Sequence, residues 1–410
     1  MVYIRIENTE YFIGDLKHPG GSVINYMSYK ESLAINPNQE TPDSKNAFEE
    51  FHHRSKKAHL VLKGLPQKQV GPFKKDAMLE DFSKLRESLK VRGFFDTSKT
   101  HVFYRFSEIF SMFFASYYLL YHDYYITSTI VASIASGRCG WLMHEAGHNS
   151  LTDSVAVNKI LQKVLIGTGL WCSGSMWNSM HNKHHATPQK IAHDIDLDTL
   201  PLVAFYKGAV ENNRRGSYSS EWLKYQAYTY LPLTSGFFVM FFWIYYLHPR
   251  KIIRDLDFVQ GALVLSGHCV RTSLISAVTG WNLSTSYLFL TLQMFGSGMY
   301  LFGNFALSHT TTPVVAEDEH PTWVHYAFEH TVDINPHNPL INWFMGYLNC
   351  QVVHHLFPSM PQFRQPEVSK ELGKWAKKWD IKYKVIGYWQ AVRECFNNLN
   401  EVAMGFSDTL

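Results

Sequence analysis

Two long apolar stretches, Phe103 to Tyr121 and Tyr124 to Trp141, follow one another with only His122 and Asp123 between them. As a helix, each is long enough to cross a hydrocarbon core about 30 Å thick. The pair predicts a helical hairpin in a membrane, and that limits what the rest of the chain can do. Arg138 is the only basic residue of the second stretch. It stands near the end, where it is predicted to snorkel to the interface. Buried helices of a soluble core are the competing reading, but a soluble chain of 410 residues seldom needs several such stretches.

With the N-terminus in the cytosol, two crossings bring the chain back there at Met143. Thr152 to Trp171 places Leu161, Val164, Leu165 and Ile166 on one face and reads as an interfacial helix. Three more apolar runs follow, at about 229–247, 258–281 and 284–308. Histidine clusters lie on either side of these three runs. If the clusters act together, one of the runs cannot span. The choice falls on 229–247, because it ends in the basic His248-Pro249-Arg250-Lys251-Ile252-Ile253-Arg254 and is predicted to break at Pro232 and Gly236. The expectation is four transmembrane helices (about 103–121, 124–141, 258–281 and 284–308) plus an interfacial or re-entrant segment at 229–247. After Pro358 the chain turns polar, with an amphipathic stretch from Val368 to Trp379, and reads as a cytosolic cap.

Composition excludes several classes. A net charge of +3 leaves no nucleic-acid footprint. The five cysteines, Cys139, Cys172, Cys269, Cys350 and Cys395, are scattered and odd in number, as suits thiols in a reducing compartment. Met1 to Glu7 has no basic segment leading into an apolar one, so no secretory signal is read. The 21 histidines stand out, and several of them are grouped.

Residues 1–68 are polar and mixed, as in a small soluble domain. Lys17-His18-Pro19-Gly20-Gly21 holds His18 at a tight turn, and Phe51-His52-His53 supplies further imidazoles. A haem held by two histidines, one on each face, has six-coordinate iron confined to electron transfer. A surface loop histidine is the plainer reading of His18. His-Pro-Gly-Gly followed by Phe-His resembles the cytochrome b5 fold, in the version fused to fatty-acid desaturases. That resemblance implies haem b, held by His18 and by His52 or its neighbour His53. The polar stretch Asn36 to Lys45 reads as a loop insertion between the two ligands. Residues 69–100 are charged and read as a linker with a helical piece from Asp76 to Val91.

Three histidine clusters carry the chemistry. His144-Glu145-Ala146-Gly147-His148 matches H-E-x-x-H, the zinc-protease pattern in which Glu is the general base. His181, His184 and His185 share one helical face, as do Gln351, His354 and His355. His309 ends the last apolar run. A catalytic zinc needs only three protein ligands, so eight imidazoles are too many for one ion and about right for two. Imidazole suits zinc, copper and iron. Electron delivery by a haem domain selects iron, since zinc has no redox chemistry.

The whole constellation resembles the membrane fatty-acid desaturases, specifically the front-end group, which joins a cytochrome b5 domain to three histidine boxes with Gln opening the third. The resemblance covers nearly the whole chain. It includes Trp141-Leu142-Met143-His144-Glu145, His184-His185-Ala186-Thr187-Pro188 and His355-Leu356-Phe357-Pro358. It implies a small α+β haem domain (1–68), a linker (69–100) and an all-α integral membrane domain (101–410) with a histidine-rich cytosolic cap. It implies two non-haem iron ions on His144, His148, His181, His184, His185, His309, His354 and His355, with Gln351 at the variant position. Val353 departs from the acidic residue common before the last pair. The implied reaction puts a cis double bond, Δ5 or Δ6, into a polyunsaturated acyl chain carried on CoA or phospholipid. The implied partners are O2, membrane lipid and cytochrome b5 reductase as electron donor. The implied location is the endoplasmic reticulum membrane, multi-pass, with haem domain and boxes facing the cytosol.

Around the boxes, Glu145, Asp194, Asp196 and Asp198 are expected to accept N–H bonds from ligating imidazoles. Asn304 is a candidate holder of a metal-bound water, and His330 a candidate further ligand. Trp171, Cys172 and Trp177 are candidates to line the acyl path. His268 and Arg271 read as structural or near a headgroup. The rival functions are a membrane zinc protease through His144, Glu145 and His148, a sphingolipid desaturase or lipid hydroxylase with the same boxes, and a membrane-tethered haem electron carrier.

Overall fold

Thr9 to Phe12 folds back on Tyr3 to Ile6 because Glu7 and Asn8 make a two-residue turn, with Glu7 at a left-handed φ of 55°. In this computed structural model, which describes residues 1–36, 44–71, 76–197, 199–209 and 221–407, these strands are β1 and β2. Helices α1 (Ser44–His52) and α2 (Lys56–Gly64) follow, then β3 (Gln67–Gln69), which pairs antiparallel with β2. Most of the stretch read as a loop insertion lies outside the described residues. The stretch read as linker carries α3 (Ala77–Val91), capped by Asp76. Its buried Phe82 stacks on Phe357, so it is part of the core.

The rest of the chain is almost entirely helical. Ser98, Ser154, Ser173, Asp257 and Asn282 stand just before five long helices, and each side chain accepts from an N–H of the first turn. Such caps fix where a helix begins. The succession is α4 (Lys99–Tyr121), α5 (Tyr125–Gly147), α6 (Val155–Leu170), α7 (Gly174–Ala186), the long run α8 (Trp222–Arg254), α9 (Phe258–Thr279) and α10 (Leu283–Phe305). Then come α11 (Trp323–His330), α12 (Pro339–Phe344), α13 (Gln351–Leu356), α14 (Gln365–Lys378) and α15 (Tyr388–Ser407).

Helices thus occupy all four stretches expected to span. Among the described residues, two helices are long and apolar enough to cross a membrane by mean hydropathy, α9 and also α8, which holds the run expected not to span. Phe103, Phe110 and Phe114 on α4 are 75%, 70% and 74% exposed on one face, an arrangement suited to acyl chains rather than water. Small residues let the helices close up, as is common in membrane bundles. A Cβ on Gly137 would stand 2.2 Å from the Tyr300 ring, so that ring of α10 packs directly on the backbone of α5.

Two local expectations are corrected. Arg138 does not snorkel. It is 1% exposed, because Glu108 on α4 meets its guanidinium at 2.6 Å and Trp343 offers it a carbonyl. An inward salt partner outweighs the pull of the interface. Pro232 and Gly236 do not break α8. Residues Tyr230–Val239 wind as a π-helix, whose wider turn accommodates the missing N–H of proline and keeps the run continuous.

Two of the four apolar cores among the described residues bear on the site. One lies among α4, α5, α6, α9 and α10. The other joins α3, α11, α13 and α14, and Ala47 of α1 belongs to it. The N-terminal elements therefore share a core with the helix that carries the third histidine cluster, and the site lies where the two cores meet.

Candidate metal centre

Each histidine cluster stands in the last turn of its helix. His144 ends α5, where Asn149 at φ 58° turns the chain out of the helix. His184 and His185 end α7, and His354 and His355 end α13. His309 follows the short turn after α10. The negative ends of three helix dipoles therefore converge, which favours a cation between them.

The eight imidazoles fall into two groups. His144, His148, His181, His185 and His354 each offer a nitrogen within 4.8 Å of all the others, and His184, His309 and His355 do the same. The groups touch where His185 stacks on His355 at 4.2 Å. The Nε2 atoms of His148 and His185 lie 3.0 and 3.1 Å from that of His181. Two nitrogens each about 2.1 Å from one ion and at right angles are about 3 Å apart, so these spacings fit ligands of a common ion. All eight rings are buried. His144 Nε2, His309 Nε2 and both nitrogens of His354 and His355 have no hydrogen-bond partner among the described residues. Unpaired buried nitrogens are costly unless something binds them. Burial, then neighbouring imidazoles, holds His181, His185, His354 and His355 well below the usual histidine range, so their lone pairs are free to coordinate.

Comparison with known proteins agrees with this geometry. The fatty acid desaturase family matches residues 124–385. An acyl-lipid (8-3)-desaturase of Rebecca salina is 38% identical, over 94% of this chain and 88% of that protein. One of a Thraustochytrium species is 36% identical, over 97% and 92%. The Delta(6)-fatty-acid desaturase fat-3 of Caenorhabditis elegans is 25% identical, over 94% and 92%. The chain belongs to the fatty acid desaturase family. It is therefore an oxidoreductase, and its two histidine groups are compatible with a di-iron centre.

The desaturase orients its imidazoles with groups the sequence only partly disclosed. Asp194 does what was expected of it. It accepts from His184 Nδ1 at 2.9 Å and is fixed by the N–H groups of Gln189 and Asp196. Burial lowers the His184 pKa, but Asp194 and then Asp196 overcome it and push the ring up to about 9. With no metal, the carboxylate thus holds a proton on Nδ1 and points Nε2 at the group. Asp196 is exposed at 3.5 Å from the same ring, and Asp198 lies outside the described residues.

Three other expectations change. Glu145 meets no imidazole. It accepts the Gln362 N–H at 3.0 Å, and Gln362 in turn reaches His144 Nδ1 with its amide at 2.9 Å. Ligation through Nε2 needs a proton on Nδ1, so the amide oxygen belongs on this contact. That oxygen is otherwise buried without a partner. His330 faces away from the group. Its Nδ1 donates to the Pro313 carbonyl at 2.7 Å, while its own carbonyl accepts from His309 Nδ1. Asn304 engages protein partners with both ends of its amide. Its amide joins the Tyr300 carbonyl to the Tyr388 hydroxyl, as helix–helix glue.

Gln351 is buried at the start of α13 with its side-chain oxygen unpartnered. Val353, the departure from the family pattern, is packed in the apolar core. The buried carboxylate nearby is Asp333, which accepts from the Val352 N–H at 2.7 Å and steadies α13. Neither Gln362 nor Asp333 had a signal in the sequence, since each lies outside the clusters it supports. Trp177 stacks on His181 at 4.3 Å and walls the centre, while Trp171 and Cys172 are buried in the bundle core. His268 stacks on Trp171 at 3.9 Å, and the Arg271 guanidinium lies over Phe113, both structural contacts.

In the N-terminal part, the rings of His18 and His52 stand 5.9 Å apart, while His53 turns away to Phe95. Two imidazoles ligating one iron from opposite faces, each nitrogen about 2 Å away, put their centroids about 6 Å apart. The spacing therefore fits haem. Gly20 N–H donates to His18 Nδ1 here, a bond that ligation through Nε2 would exchange for the other tautomer.

Proposed function

We propose that this desaturase is a front-end enzyme. It places a cis double bond at Δ5 or Δ6 of a polyunsaturated acyl chain, using O2 and electrons from its own N-terminal haem domain. The observation that carries the reading is the pairing of five and three buried imidazoles at the convergence of three helix ends, beside a second histidine pair spaced for haem. Two irons in those groups would supply the oxidising power that an unactivated C–H bond requires. The chain's own residues do the holding. Asp194, the His330 carbonyl and Gln362 fix the proton-bearing nitrogens of His184, His309 and His144, and Trp177 covers His181. His18 and His52 would hold haem b, with cytochrome b5 reductase as donor.

The reading places four helices, α4, α5, α9 and α10, through the endoplasmic reticulum membrane with the histidines on the cytosolic side. Support for a non-spanning α8 comes from its basic end, His248 to Arg254, which by the positive-inside tendency stays on the cytosolic side.

Two relatives above a third identity are both named acyl-lipid (8-3)-desaturases. The assay therefore starts with 20-carbon acids bearing a bond at carbon 8, for insertion at carbon 5, alongside 18-carbon acids for Δ6. Expression in a desaturase-poor yeast fed these acids is expected to give a new, more unsaturated peak on gas chromatography. Comparing acyl-CoA with phospholipid pools at early times identifies the carrier. Absence of a new bond with every acid sinks the front-end reading.

A further inference from the structure

We propose that electrons enter the metal centre at the His184, His309 and His355 group, and that Trp323 is the bridging side chain from the N-terminal domain. This rests on the haem reading above.

Phe51 is the chain neighbour of His52, and its ring meets Trp323 edge-on at 5.7 Å. Trp323 is 3% exposed, so its ring is packed against protein. Its Nε1–H donates to the Leu356 carbonyl at 3.2 Å, and Leu356 follows His355 directly. A path from His52 to His355 thus consists of peptide bonds, one ring contact and one hydrogen bond. Electron tunnelling falls off more slowly along such links than across open space.

A second link reaches the same group. Tyr26, on the 3-10 helix Gly21–Met27 after His18, stacks on His193 at 4.5 Å with the rings 16° from parallel. His193 precedes Asp194, whose carboxylate holds His184. His309, the third member, hangs on the carbonyl of His330, which ends the helix that Trp323 begins. All three ligands are therefore tied to elements on which the N-terminal domain packs. The other group shares α7 and α13 through His181, His185 and His354, but the bonded path through Leu356 reaches His355 before His354, and His144 is braced separately from Gln362.

The step moves one electron and no atoms. The haem iron goes from ferrous to ferric, and one ferric non-haem iron becomes ferrous. Two such events reduce the pair, with NADH and a flavoprotein reductase replenishing the haem.

The test uses the full-length, haem- and iron-loaded protein in detergent without O2. A flavin flash reduces the haem, and the decay of the ferrous haem band reports its loss of the electron to the iron pair. Trp323→Leu is expected to slow that decay several-fold or more, with the Soret band and iron content unchanged. Trp323→Phe, which keeps a ring but loses the bond to Leu356, is expected to fall between. Decay at the wild-type rate in Trp323→Leu overturns the proposal. If that variant loses iron, Phe51→Leu cuts the same route from the other side and decides by the same criterion. A wild-type protein with no Soret band after haem supply overturns the haem reading itself, a different and separately visible result.

Discussion

At the residue scale, two side chains of like chemistry sit at different distances from the metal groups, and that difference is testable. Asp194 is buried and gives both oxygens to His184, whereas Asp196 is exposed. Asp194→Asn keeps the size but weakens the hold on the Nδ1 proton. It is expected to lower iron retention or turnover by about 10- to 100-fold, the usual range for groups that orient metal-bound histidines. Asp196→Asn is expected to stay close to wild type. Iron per protein by mass spectrometry, beside product yield, separates the two. Gln362 gives a second test. Gln362→Leu removes the partner of His144 and is expected to cost iron, while Gln362→Glu supplies an acceptor in the same place and is expected to retain most of it. The reverse ranking would show that Gln362 serves as a donor. Glu145 makes the same point about context. Its pentapeptide reads as a protease motif, yet its carboxylate supports the backbone of Gln362.

At the element scale, the close contact of α5 with α10 sets how the first histidine cluster is presented. The Tyr300 ring is held at its hydroxyl by Trp141 Nε1–H and by the Phe344 carbonyl, so it cannot swing aside. Gly137→Ala would push a methyl into that ring and is expected to destabilise the protein by about 1–3 kcal/mol, the usual range for overpacking. Thermal unfolding in detergent measures it, and an unchanged midpoint would mean the helices slide apart freely. Helix positions were legible in the sequence because apolar runs and caps are local signals. The fate of α8 was not, because a π-helical stretch that absorbs Pro232 depends on what packs around it.

At the scale of the whole molecule, eight buried imidazoles are expected to make stability depend on bound metal. Chelation is expected to lower the melting midpoint, because an ion that binds only the folded state stabilises it by mass action. The metal-free protein has a predictable acid response. Burial holds His181, His185, His354 and His355 well below the ordinary 6.5. The unfolded chain therefore takes up protons first, near pH 6.5, and stability present above that pH is lost as pH falls through it. Melting of chelated protein at pH 7.5, 6.5 and 5.5 checks this, and a flat profile would show that the rings are solvated. The N-terminal domain belongs to the same whole. Arg54 donates to the Ser359 carbonyl just beyond the third cluster, and Ser359 Oγ bonds the buried Glu50.

The sequence by itself determined the helices, the donor set and the chemical class, because hydrophobic length, caps and histidine spacing along a helix are written in short segments. It also marked His18, with His52 or His53, as candidate haem ligands by their surrounding residues. Only the tertiary structure divided eight histidines into five and three, turned His53 and His330 away, and recruited Gln362 and Asp333 from outside the clusters. Those outcomes depend on contacts between residues far apart in the chain. The 2.9 Å approach of Gln362 to His144 spans 218 positions, and no local pattern can encode it.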